Sequence, residues 1–158
     1  MQKVIDPRRQ AWLPYIRQIA DLYGLKDWLF DVDNDSPTDK NANASVFIPL
    51  GRRYCWIRLA QEFLDETPEE QRLCIVHELT HCHINMLYGM SKDFMGEDKR
   101  GILTTLMELG VDSISVAIAK FFPLPINQKR DAHPDLGETS NFPLKPAIIP
   151  CKSKLRKK

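Results

Sequence analysis

His77, Glu78 and His81 stand within a stretch of the chain that reads as helical. At about 3.6 residues per turn the two imidazoles fall one turn apart on one face, where both can hold the same divalent ion. Glu78 follows about 100° further round the helix, within reach of a water on that ion but not of the ion itself. A catalytic zinc takes three protein ligands and leaves one position open. Two histidines are therefore one donor short, and the third must come from another part of the chain.

A second helical stretch, from about Asp98 to Phe122, is apolar on nearly all sides and is expected to be buried. Two acids, Glu108 and Asp112, interrupt it four residues apart and so share a face. A carboxylate in such surroundings needs a cation or hydrogen-bond donors to offset its desolvation. Glu108 fits as third metal ligand, and Asp112 as the outer acceptor that fixes the tautomer of a ligand imidazole. Gly110, between them, weakens the helix but would let its backbone pass close to the first.

The elements that must position these residues are also legible. Thr67, Pro68 and Glu70 form a helix start, with a capping threonine, a proline at the first helical position and a glutamate that closes a capping box. The helix is expected to run through Ile75, Val76, Leu79, Ile84 and Leu87 and to stop at Gly89. Upstream, apolar spacing predicts a helix from Leu13 to Tyr23 with Gly24 at its exit, and then strands over Asp27–Val32, Ser45–Leu50 and Tyr54–Ala60. Helix, three strands, helix, helix predicts an α+β domain over residues 1–125. Beyond Pro123 and Pro125 the composition turns to prolines and charges, so 126–158 reads as a Pro-rich, basic extension.

His77-Glu78-Leu79-Thr80-His81 followed by Glu108 and Asp112 resembles the gluzincins, zinc peptidases that carry HExxH and a glutamate ligand on a later helix. A second likeness covers about Ser45 to Phe122. There, Ile57-Arg58-Leu59-Ala60, an acidic helix start and the motif are similar to small SprT-like and ImmA/IrrE-like metallopeptidases, phage-borne ones included. The third histidine of SprT-like proteins has no counterpart between His83 and His133. The motif does not continue into the glycine and histidine of the metzincins, because Ile84 and Leu87 occupy those positions. The resemblance implies a minimal zincin-like domain with one Zn²⁺ per chain held by His77, His81 and Glu108. It further implies a zinc-dependent peptidase with Glu78 as general base and a protein or peptide substrate added as a strand along a sheet edge near Ser45–Ile48. The rival reading is a catalytically silent zinc-binding regulator. An oxyanion stabiliser is also required, with His133 preferred to Tyr54 and Tyr88 because it follows the ligand helix.

Composition narrows the remaining classes. At 158 residues, 43% hydrophobic and 27% charged, the chain suits one domain and one core. A net charge of +1 argues against nucleic-acid binding by the whole molecule, although Lys152, Lys154, Arg156, Lys157 and Lys158 give the tail a local basic patch. No signal peptide and no run of about 18 apolar residues is legible, and Cys55, Cys74, Cys82 and Cys151 lack framework spacing. A cytoplasmic protein with free thiols is expected. A closed zinc site from Cys74, Cys82 and His83 is geometrically poor, since these residues point to different sides of the helix. Asp31, Asp33 and Asp35 have the spacing of a calcium loop, but Ser36 stands where such a loop needs glycine.

Overall fold

The computed structural model describes residues 6–126, with the side chains of Met86, Lys92 and Asp93 excepted. These residues fall in one compact α+β unit: a three-stranded mixed sheet with helices against it. His133, Cys151 and the basic tail lie outside the described residues.

A short helix α1 (Pro7–Gln10) precedes α2 (Leu13–Leu22). α2 buries Ile16, Ile19 and Ala20, the face that the apolar spacing marks. It ends in a Schellman motif: Gly24 adopts φ +79°, the Leu25 N–H donates to the Ala20 carbonyl at 2.8 Å, and the Gly24 N–H donates to Asp21 at 3.3 Å.

The strands are β1 (Leu29–Asp33), β2 (Ala44–Phe47) and β3 (Tyr54–Leu59), in the order β1-β3-β2. β1 runs parallel to β3, and β2 runs antiparallel to it. β3 alternates strictly: Cys55, Ile57 and Leu59 are buried, while Tyr54, Trp56 and Arg58 face the other side. On that outer face register brings Asp33 opposite Arg58, and the two close an ion pair at 2.9 Å. β2 stops at Phe47, short of the expected Leu50, because Pro49 begins a turn in which the Arg52 N–H donates to the Pro49 carbonyl and Gly51 takes φ +72°.

α3 (Pro68–Phe94) opens with the expected capping box. The Glu70 N–H donates to Thr67 Oγ1 at 3.3 Å, and the Thr67 N–H donates to Glu70 Oε2 at 3.1 Å. It does not end at Gly89. A Cβ there would lie 2.8 Å from Leu50 Cδ1, so this glycine lets the β2–β3 loop close onto the helix, and the helix continues to Phe94. A glycine inside a helix costs about 1 kcal/mol relative to alanine, which packing on both sides offsets.

α4 (Glu97–Ile118) turns back along α3 after Met95 and Gly96. Here the expectation of burial is overturned. Val111 and Ser115 alone are fully buried, while Ile102, Leu106, Leu109 and Val116 are each more than half exposed. Gly110 faces open space, so it does not mediate a close approach to α3. By length and composition Glu97–Phe121 is apolar enough to cross a membrane, which the sequence reading missed because Glu108 and Asp112 break the run. The core instead lies between β1, β3, α2 and the first half of α3, with Phe63, Ile75, Val76 and Leu79 at its centre.

Candidate metal centre

α3 and α4 are antiparallel neighbours, so a pair four residues apart on one helix meets a pair four apart on the other in reverse order. His77 thereby meets Asp112, and His81 meets Glu108. The His77 and His81 Nε2 atoms are 3.2 Å apart, and Glu108 Oε2 lies 3.6 Å from the first and 3.7 Å from the second. A triangle with those sides has its centre about 2.0 Å from each corner, which matches zinc–nitrogen and zinc–carboxylate bond lengths of about 2.0–2.2 Å. Two nitrogens and one carboxylate oxygen are the donor set of an open rather than a closed site. His77, His81 and Glu108 can hold a metal ion.

Asp112 completes the arrangement from behind. His77 Nδ1 lies 3.0 Å from Asp112 Oδ1 and donates to it; the neutral ring then carries its proton on Nδ1 and turns the Nε2 lone pair toward the cluster, whereas the protonated ring points an Nε2–H at the Glu108 carboxylate. Burial alone would lower the His77 pKa, but the hydrogen bond to Glu108 and the charges of Glu78 and Asp112 raise it. His81 is lowered, by burial first and by the neighbouring His77 charge, against the pull of Glu108. Glu108 is held below the usual carboxylate range by its hydrogen bond to His77, despite partial burial. Each of these groups leans on the others' charge.

Glu78 is buried, and burial pushes its carboxyl up to about 7. The Glu108 charge adds to that rise, while His77 and a hydrogen bond from the Val46 backbone oppose it. Val46 belongs to β2, and its position follows from the sheet. The Ala60 N–H donates to the Asn43 carbonyl, so alternation turns the N–H and C=O groups of Ala44 and Val46 away from β3 and toward the free edge. That edge and the metal cluster line one cavity of about 360 Å³, together with Asn85, Tyr88 and Met107.

Of the residues picked from sequence, the structure brings together His77, Glu78, His81, Glu108 and Asp112. Tyr88 lines the same cavity, with its hydroxyl 2.9 Å from Thr104 Oγ1. Tyr54 lies elsewhere, against Asp31 and Trp56. His133 falls outside the described residues. Cys82 is buried in the core and His83 bonds the Tyr23 carbonyl at 3.0 Å, so neither joins a zinc site with Cys74. Asp33 is engaged by Arg58, and the Asp31–Asp35 segment is the end of β1 followed by a bend in which the Asp35 N–H donates to Asp33 Oδ1, not a cation loop.

Thr80, inside the motif, was missed. Its hydroxyl donates to the Val76 carbonyl at 2.8 Å, and it can then accept from Tyr23 at 2.9 Å or from Ser115 at 3.3 Å. It is a buried polar junction of α2, α3 and α4. Ser115 lies seven residues after Glu108, on the same helix face, which is the one signal that could have found it. Asn85 continues the His77–His81 row by another turn and could have been found the same way.

Comparison with known proteins brings no match to a protein family, to a functionally characterised protein or to a solved structure.

Proposed function

We propose that this chain is a zinc peptidase with a minimal zincin-like domain, acting in an aqueous, reducing compartment. The reading rests on one observation above all: a buried glutamate whose carboxyl is raised to about 7 sits beside a His-His-Glu donor cluster, in a cavity that is also bordered by a free sheet edge. When bound, zinc supplies Lewis-acid activation of a water and of the scissile carbonyl.

The chain's own residues account for the remaining work. Glu78, with a pKa near neutrality, accepts the proton of the attacking water and passes it to the leaving amine. Asp112 holds His77 in the tautomer that leaves Nε2 free for the ion. The outward N–H and C=O of Ala44 and the C=O of Val46 offer an extended peptide main-chain hydrogen bonds beside Glu78, which itself takes the Val46 N–H. Tyr88 is the described residue best placed to stabilise the developing oxyanion.

Glu78→Gln tests the reading, because it keeps the shape and removes the proton acceptor. Peptide cleavage should fall by about 10²–10⁴-fold while zinc content stays unchanged. Equal cleavage by both proteins would remove Glu78 from the mechanism. Cleavage by neither, with zinc bound to both, would favour the non-catalytic regulator.

A further inference from the structure

We propose that the outward face of α4 is a docking surface for a second copy of this chain, packed antiparallel about a two-fold axis at Leu109. The face carries Ile102, Leu106, Leu109, Ser113 and Val116, separated by four, three, four and three residues. That is the spacing of a helix-to-helix seam rather than of a broad apolar surface. All five are exposed, so the seam has no partner within the described unit.

The hydroxyls on this helix are already satisfied. Ser113 donates to the Leu109 carbonyl at 2.8 Å and Thr105 to the Gly101 carbonyl at 3.0 Å, so neither hydroxyl needs water. Between Arg100 and Lys120 the charged side chains are Glu108 and Asp112, and both face the histidines of α3. A quarter-turn round the helix separates them from the seam. A partner there would leave the metal cavity open.

What selects a second copy, and its direction, is the symmetry of the row. A two-fold at Leu109 sets Leu109 against itself, and on either side of it Ile102 against Val116 and Leu106 against the Ser113 region, so away from the axis each larger side chain meets a smaller one. The same register sets Asp98 opposite Lys120, twice. Asp98 lies on the seam side of α4 and Lys120 in the 3-10 turn that follows it, its Nζ 5.1 Å from the Phe121 ring centre, and both residues are exposed. A parallel pair would instead place Asp98 against Asp98 and Lys120 against Lys120, which like-charge repulsion disfavours. Gly110 and Ala117 flank the seam, and Gly110 has open space where a Cβ would sit, so the helices can approach closely. The surface is thus complementary to itself in shape and in charge, and an isologous dimer is what such a surface makes.

The inference does not depend on the peptidase reading. Its test is sedimentation of the full chain over a range of concentrations. The wild type should pass from monomer to dimer. Leu109→Asp, an exposed site where the fold is undisturbed, places two carboxylates face to face on the axis and should weaken dimerisation at least about a hundredfold, with helical circular dichroism unchanged. Asp98→Lys should weaken it by about two- to fivefold, and adding Lys120→Asp should restore it. A wild type that stays monomeric at every concentration overturns the proposal, as does a dimer indifferent to Leu109→Asp. A monomer that binds uncharged phosphatidylcholine vesicles through this face would also overturn it, assigning the seam to lipid.

Discussion

The two halves of α3 belong to different environments. The first half, through Ile75, Val76 and Leu79, is sealed in the core shared with α2 and the inner face of the sheet. The second half, from Leu87 to Phe94, and the outward side of α4 expose large apolar side chains. His77 and His81, which can hold a metal ion, sit at the border between these regions. The first region is held by area removed from water, which is non-directional and cumulative. α4 is held largely by directed contacts: His77 to Asp112, Thr80 to Ser115, Tyr88 to Thr104, with Val111 as its one fully buried apolar anchor. A helix attached in this way can be strengthened or released by a bound ion, whereas a sealed core cannot.

One substitution made twice in α3 sharpens the contrast most. Leu79 is 0% exposed and Leu87 is 67% exposed, two helical turns later. Leu79→Ala should cost about 2–5 kcal/mol through lost burial and the cavity left behind. Leu87→Ala should stay within about 0.5 kcal/mol. Urea unfolding of both variants, below the concentration at which the chain self-associates, checks the pair. Similar values would mean that the boundary lies elsewhere.

Asp112→Asn addresses the border itself. The amide cannot hold the His77 tautomer as the carboxylate does, so zinc affinity should drop by about 10- to 100-fold in competition titrations. Amide exchange offers a second reading of the same change: α4 protection should fall while β3 protection holds. An unchanged affinity would show that Asp112 merely packs beside His77.

The smallest effect belongs to the open face of the sheet. Burial alone would raise the Asp33 carboxyl, but its hydrogen bond to Arg58 and that residue's charge hold it below the usual value. A depressed carboxylate stabilises the fold above its unfolded pKa and loses that contribution as pH falls through its folded one. Arg58→Gln should therefore move the Asp33 titration upward and flatten the acid side of the stability curve. The loss near neutrality should stay at or below about 1 kcal/mol, because both groups are partly solvated. NMR titration of the Asp33 carboxyl measures the shift directly.

What could be read from the residues alone follows the same division. The capping box at Thr67, the Gly24 exit, the alternation of β3 and the facing pairs of α3 and α4 are local periodicities, and each is present. The small three-stranded sheet came through with strand ends shifted by one to three residues, chiefly where Pro49 and the turn before Leu29 intervene. The errors arose where tertiary context decides. Apolar residues all round α4 predict burial, yet one side of that helix meets nothing among the described residues. Gly89 reads as a stop, yet Leu50 packs against it. Thr80 could not be recognised as a junction, because its partners Tyr23 and Ser115 are 57 and 35 residues away.

Whether His77, His81 and Glu108 together hold one zinc ion is decided by metal analysis of the full chain after equilibration with zinc and removal of the excess. One zinc per chain is predicted for the wild type, with loss of the ion in the His77→Ala, His81→Ala double variant and weakened retention in Glu108→Ala. A folded wild type that retains no zinc, or a double variant that keeps a full equivalent, would contradict that reading.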